Sequence, residues 1–384
     1  MLLRGAYVVV DLARIGDNVD RLIALARGEE VMAVVKADAY GHGAVAVAQK
    51  ALGRGASWLG VATLSEAAAL RQAGITAPTL VLGLLAPDEY AEAARLGVSV
   101  TISDGTDIRA ARRGARAAHT TLSVHLKADT GLGRIGAPPA AVPELARLAR
   151  GARLRLEGVF SHLADGRDAE YSTLQIRAFT CVLRALRDTG LLPPWRHLLD
   201  SEGLLSGHRV PGANLVRSGI LIYGFNPDGC GPRLRGFDTA LSLHARINLV
   251  KTVPRGTPVG YGRTYVADRE VQIASLGVGY ADGYRRCFSN RAQVLIDGRA
   301  WPLAGLVSMD QVCVAVDTGI PVSIGDEAVL IGHQGGCEVP AEELAALAGT
   351  LADDITAGLS PRLPRRYRDR RSQGVALGGP PPGP

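Results

Sequence analysis

Lys36 stands at the end of an apolar run, Val31 to Val35, in the segment VVKADAYGHG (34–43). A lysine set beside apolar walls loses solvation, its pKa falls, and its amine can form a Schiff base with a carbonyl compound. Tyr40 lies four positions on, among glycines and polar residues. A second group of unusual residues sits in HLKADTGLGRIG (125–136), which carries Lys127, Asp129 and Arg134. His162, Ser201, Arg217 and Gly219 each end or interrupt a later apolar run. Singly, these residues have ordinary readings. Lys36 can be a surface lysine after a strand, His162 a satisfied core histidine, Tyr280 a packing residue, and Asp129 and Thr130 the caps of a loop. What separates the readings is where the elements place these side chains.

The apolar runs are VMAVVKA (31–37), WLGVA (58–62), TLVLG (79–83), VSVTIS (98–103), TLSVHLKA (121–128), EGVFSHL (157–163), HLLDS (197–201) and NLVRSGILIYG (214–224). Between them lie Ala/Leu-rich stretches of helical period that end in glycine, such as SEAAALRQAG (65–74) and PDEYAEAARLG (87–97). Eight strands alternating with helices predict an α/β fold of the (β/α)₈ type, a TIM-like barrel. Catalytic groups of such barrels sit at the C-terminal ends of the strands, and the unusual residues here gather at those ends. Scattered polar residues would not choose one end of eight strands. The phosphate site of such barrels commonly uses the loops after the seventh and eighth strands. Ser201 and the backbone amides of Gly219 and Ile220 fit that place, since glycine permits close approach to a phosphate.

After residue 235 the texture changes to alternating runs such as ALSLHARINLVKTV, VQIASLGVG and QVCVAVDTG, separated by Gly, Pro and Asp. These predict a mostly antiparallel β domain over 236–371, interrupted by one helix around 343–359. The barrel takes residues 1–235, its start reading as strand then helix without a signal-peptide cleavage pattern. The Gly/Pro-rich end, 372–384, reads as disordered.

Composition bounds the function classes. At 384 residues and 47% hydrophobic, the chain can bury a large core, and no run of eighteen apolar residues predicts a membrane span. Five cysteines show no CxxC pair and no metal-ligand spacing, a set that suits a reducing cytoplasm. The net charge of +6 is local, because residues 362–371 hold six arginines and one aspartate. No aromatic interleaving or nucleic-acid motif accompanies that cluster, so no nucleic-acid partner is expected.

Seven motifs in order carry a resemblance: VVKADAYGHG, KADTGLGRIG, SHLAD, VRSGILIYG, GYGRTY (260–265), LGVGYADGY (276–284) and VSMDQ (307–311). On these, from about residue 5 to 370, the chain resembles the alanine racemase family. The resemblance implies a homodimeric enzyme that interconverts L- and D-alanine with pyridoxal 5'-phosphate (PLP). It makes Lys36 the residue that carries PLP and one of two acid/base groups, and Tyr280, supplied by the second subunit, the other. Two groups on opposite faces suffice to remove an α proton from one side and return one to the other. Each has a free pKa of about 10 and needs a cationic or desolvated neighbourhood to act near neutral pH. The resemblance also implies that Arg217 donates to the pyridine nitrogen, with His162 linking it towards Tyr280. Arg134 faces the PLP phenolic oxygen and the substrate carboxylate. Lys127 matches a lysine that is often carbamylated and orients that arginine. Tyr40 and Ser201, with Gly219 and Ile220, hold the phosphate, and the Met309 amide of the second subunit meets the substrate carboxylate, with Asp310 beside it to orient it.

Three positions depart from the family pattern. Asp353 stands where a tyrosine near the phosphate and substrate is usual, Leu306 where an arginine is usual, and Asp200 where an asparagine is usual. The pocket is therefore expected to be roomier and more acidic, so Asp353 becomes a substrate-binding candidate. Serine or a basic amino acid joins alanine as an expected substrate. Two other outcomes belong to the same scaffold: a different PLP reaction, such as decarboxylation or aldol cleavage, and a PLP-binding protein without turnover. Lys36, Tyr280, Arg217 and Met309 together argue against the first, and the second domain with its tyrosine argues against the second.

Overall fold

The computed structural model of the chain describes residues 4–227 and 234–369, so the expectation for the 372–384 tail lies outside the described residues. The eight expected barrel strands form. They are β2 (Glu30–Val34), β3 (Trp58–Val61), β4 (Thr79–Val81), β5 (Ser99–Ile102), β6 (Ser123–Lys127), β7 (Arg155–Phe160), β8 (Trp195–His197) and β9 (Leu215–Ser218). All ladders are parallel, in the order β8-β7-β6-β5-β4-β3-β2-β9. The β8/β9 seam has no ladder. Flanking bonds bring its edges together, such as Asn214 N–H to Arg196 O at 3.0 Å and Arg217 N–H to Leu199 O at 3.0 Å. Short Val/Leu/Ile strands of this kind suit burial on both faces, with helices outside and side chains within.

The second sheet takes one strand from an unexpected place. β1 (Tyr7–Asp11), at the start of the unit expected to be barrel, pairs antiparallel with β10 (Leu241–Val253) and parallel with Arg365–Arg368. Nothing local in YVVVD distinguishes the two sheets, because every residue of it is buried and its partners lie more than two hundred positions away. Asp11 then caps the helix Leu12–Ala26, accepting from Ala13 N–H at 3.1 Å and Arg14 N–H at 3.2 Å, and the chain enters the barrel. β10 is long enough to serve twice. Its first half pairs with β1 and Glu327–Gln334, its second with Val271–Leu276, which pairs in turn with Val312–Asp317. One continuous apolar core runs through both units.

The single helix expected over 343–359 is two, Ala341–Ala348 and Ala352–Ala357. Gly349 ends the first in the left-handed region, φ 67°, and Leu351 is extended. The break places Asp353 in the first turn of the second helix. That helix packs on the chain following Lys36, where a Cβ on Gly41 would run into the Thr356 carbonyl.

Candidate active site

The segment after Lys36 is a left-handed turn. Ala37, Asp38, Ala39 and Tyr40 have φ of 53°, 52°, 54° and 54°. Each such non-glycine residue costs about 1–2 kcal/mol, so the turn persists only because its surroundings hold it. Glu66 accepts from Ala37 N–H at 2.7 Å, and Asp38 accepts from Ala44 N–H at 2.8 Å. Buried His42 lies 3.0 Å from the carbonyls of both Ala39 and Tyr40 through Nδ1, which therefore carries its proton. Burial pulls the His42 pKa down to about 4, so this ring stays neutral. The turn directs Lys36 and Tyr40 into one cavity.

That cavity, about 660 Å³, opens at the C-terminal ends of the barrel strands. Lys36, Tyr40, Lys127, Arg134, His162, Ser201, Arg217, Gly219, Ile220 and Asp353 all line it. Ten residues spread over more than three hundred positions thus meet in one place. Burial lowers the Lys36 pKa, and the nearby charge of Arg134 pushes the same way against Asp353 and Glu66. Lys127 is pulled further, to about 7, by burial and by the positive charges of Arg217 and Arg134. Asp353 moves the opposite way, because burial raises its pKa.

Arg217 is buried at the cavity floor, its guanidinium 5.3 Å from the Phe160 ring centre. Nη1 donates to His197 Nδ1 at 2.8 Å, while Nη2 donates to Ser161 O at 2.7 Å and meets His162 Nδ1 at 3.0 Å. An arginine has no acceptor, so both imidazole Nδ1 atoms must offer lone pairs. His162 therefore carries its proton on Nε2, 3.6 Å from the Asp200 carboxylate. Ser201 Oγ bonds Ser218 Oγ at 2.8 Å and accepts from Gly219 N–H at 3.3 Å.

Tyr280 and Met309 are not in this cavity. They lie side by side on the β domain, where Tyr280 N–H donates to Ser308 O and Ala281 N–H to Met309 O, both at 3.0 Å. Both are exposed, 40% and 53%, although they are large and apolar. Asp310, next in the chain, pairs with Arg362 at 2.5 Å. Sequence reasoning missed three residues that the structure brings to the site: Glu66 under the turn, Phe160 below Arg217, and His197. Phe160 and His197 lie within the apolar runs 157–163 and 197–201, where the two-residue period of a strand was the available signal.

A model of the alanine racemase N-terminal domain matches residues 10–227, and one of the alanine racemase C-terminal domain matches 240–367. Alanine racemase from Symbiobacterium thermophilum is 44% identical over 368 residues, covering 95% of this chain and 97% of that protein. Alanine racemase from Carboxydothermus hydrogenoformans is 42% identical, covering 95% and 100%. Among solved structures, alanine racemase from D-cycloserine-producing Streptomyces lavendulae superposes with a TM-score of 0.88 at 37% identity, covering 96% of this chain and 98% of that one. Alanine racemase from Bacillus anthracis with bound L-Ala-P gives 0.89 at 34% identity, covering 98% of both.

Proposed function

Because the chain belongs to the alanine racemase family, whose members are isomerases, we propose that it interconverts L- and D-alanine with PLP, in sites completed between two copies. The observation that carries this reading is the half-buried Lys36 in a cavity that also holds Arg217, Arg134 and Lys127. The residues present fit PLP. Gly219 leaves a gap that a Cβ would fill, 2.5 Å from the Tyr40 hydroxyl, beside Ser201 and Ile220. These groups would hold the phosphate, Lys36 Nζ the aldehyde carbon, and Arg217 the ring nitrogen.

When bound, PLP would supply an electron-withdrawing ring that acidifies the α proton of an attached amino acid. Burial and the Arg134 charge disfavour the protonated form of Lys36, which helps its amine to take or return a proton. Tyr280, contributed by a second copy, would serve the opposite face. Its exposure beside Met309, outside the cavity of its own chain, supports that division. Met309 N–H and Arg134 would orient the substrate carboxylate. Arg217, as a pure donor, would face the ring nitrogen without protonating it, and would so restrain side reactions such as transamination. Lys127 would be neutral above about pH 7, the form that adds carbon dioxide. As a carbamate it would turn one of four neighbouring cations into an anion able to orient Arg134.

Asp353 favours a second reading of the substrate. Its carboxyl lines the cavity within electrostatic reach of Lys36, and could pair with a basic side chain or accept from a hydroxyl. Incubation with PLP and a panel of L-amino acids in deuterated water, followed by NMR, tests both. Exchange of the α proton with both enantiomers appearing for alanine supports the first reading. Preference for ornithine, lysine, arginine or serine supports the second, and bound PLP without exchange of any substrate rejects racemisation.

A further inference from the structure

A line of buried polar side chains crosses the barrel from the cavity floor to its opposite end. It starts at Arg217, whose Nη1 donates to His197 Nδ1 at 2.8 Å. His197 Nε2 lies 2.9 Å from His125 Nδ1, and His125 Nε2 lies 3.6 Å from the Glu157 carboxylate. Glu157 accepts from Ser99 Oγ and is 3.5 Å from Arg155 Nη2, where β5 and β7 begin. Both histidines are fully buried within the barrel, among side chains that are mostly apolar. Phe160 stacks on His197, with ring centres 4.9 Å apart and planes 8° apart, and Trp58 meets His125 edge-on at 5.4 Å. Gly158 makes room for the line, since a Cβ there would fall within the His125 ring. The β6/β7 register also shifts between Val124 and His125.

Buried polar groups are costly unless paired, and an apolar side chain would fill the same space more cheaply. The donors dictate one direction. Arg217 can only donate, so His197 Nδ1 must accept and its proton sits on Nε2. That proton points to His125 Nδ1, so His125 also carries its proton on Nε2, facing the carboxylate. Burial disfavours the charged form of both rings, consistent with two neutral imidazoles. Glu157 is pushed up by burial, but the neighbouring His125 ring, the hydrogen bond from Ser99 and the Arg155 charge more than offset this, so it stays anionic.

The geometry points to His125 and Glu157 as positioning residues for Arg217, acting from the far end of the barrel by holding the ring of His197, whose tautomer Arg217 itself sets. With Glu157 anionic and His125 oriented, His197 has one way to face Arg217, and the guanidinium is held where it can donate into the cavity. Only the last clause rests on the proposed function; the tautomers do not.

The test begins with cofactor-free protein carrying ¹⁵N-labelled histidine. Long-range ¹H–¹⁵N NMR is expected to show Nε2–H forms for His125 and His197, unchanged from about pH 6 to 9. Either ring as Nδ1–H or imidazolium overturns the line. Glu157→Gln and His125→Gln are then compared, the first altering a partly exposed residue that leaves the apolar packing intact. Glu157→Gln is expected to give a mixed His125 tautomer, and His125→Gln to broaden the His197 signals while Arg217 keeps that ring in its Nε2–H form. In PLP-loaded protein they should shift the cofactor absorbance band and lower kcat on the order of tenfold with KM held, the scale of losing an outer-shell partner. A folded Glu157→Gln protein with His125 still purely Nε2–H, an unmoved absorbance band and unchanged kcat overturns the proposal. If the wild-type tautomers hold but no PLP binds, the proposed function fails and the line stands.

Discussion

Burial and Arg134 disfavour the charged form of the Lys36 amine, while Asp353 and Glu66 moderate the effect. Lys36→Ala is expected to lower racemisation by about 10²–10⁴-fold, the range for a lost acid/base group, with the fold unchanged by circular dichroism. Asp353→Tyr should narrow the substrate range towards alanine, and a kcat/KM profile identical to the parent would remove Asp353 from substrate selection. Lys127 makes a sign-definite prediction for stability. Its folded pKa of about 7 lies below the ordinary value of 10.5, so between these limits the unfolded chain binds more protons than the folded one. The Lys127 contribution to the stability of the cofactor-free protein must therefore rise with pH through that window. Thermal melts of Lys127→Met should show a flatter rise than the parent from about pH 7 to 10.

At the scale of elements, the left-handed turn from Ala37 to Tyr40 is the part most dependent on its neighbours. Four residues of adverse φ are paired with bonds from Glu66, Asp38 and His42 and with the helix Ala352–Ala357 packed on Gly41. Glu66 bonds Ala37 N–H and also closes the capping box of the helix Leu64–Gln72, accepting from Thr63 N–H at 3.3 Å and from Ala62 N–H at 2.7 Å. Glu66→Ala removes a charged acceptor from both and is expected to cost about 1.5–3 kcal/mol, measured by urea denaturation. It should also loosen the placement of Lys36, seen as weaker PLP binding. A surface substitution of similar size, such as Glu144→Ala, whose partner Arg147 is exposed, serves as the control.

On the scale of the molecule, the cavity of one chain lacks the tyrosine that the proposed chemistry needs, while that tyrosine stands exposed on the β domain. Lys36→Ala and Tyr280→Phe chains should each be nearly inactive alone. Mixed, unfolded and refolded together, they should recover about a quarter of the parent activity. Half of randomly paired dimers are then mixed, and each of these has one intact site of two. No recovery, with mixed dimers confirmed by mass spectrometry, would place both groups in the same chain.

The barrel was legible from the sequence because each strand is a short apolar run bounded by helix and glycine, and a local period suffices to read it. The reactive end was legible for the same reason, since residue types such as Lys36, Lys127 and Arg217 stand out against those runs. What local pattern could not show is pairing at a distance. β1 joins the second sheet because its hydrogen-bond partners, Leu241–His244 and Arg365–Arg368, lie at the other end of the chain. The helix near residue 350 is broken because Gly349 takes a left-handed conformation, which periodicity does not report. His125, His197 and Glu157 belong to three strands, and only barrel closure brings their donors and acceptors into line. The sequence by itself determined which elements form and which chemistry their ends can offer, through local periodicity and side-chain type. The tertiary structure alone decided which groups share a proton, a charge or a cavity, because those depend on distances of a few ångströms between segments far apart in the chain.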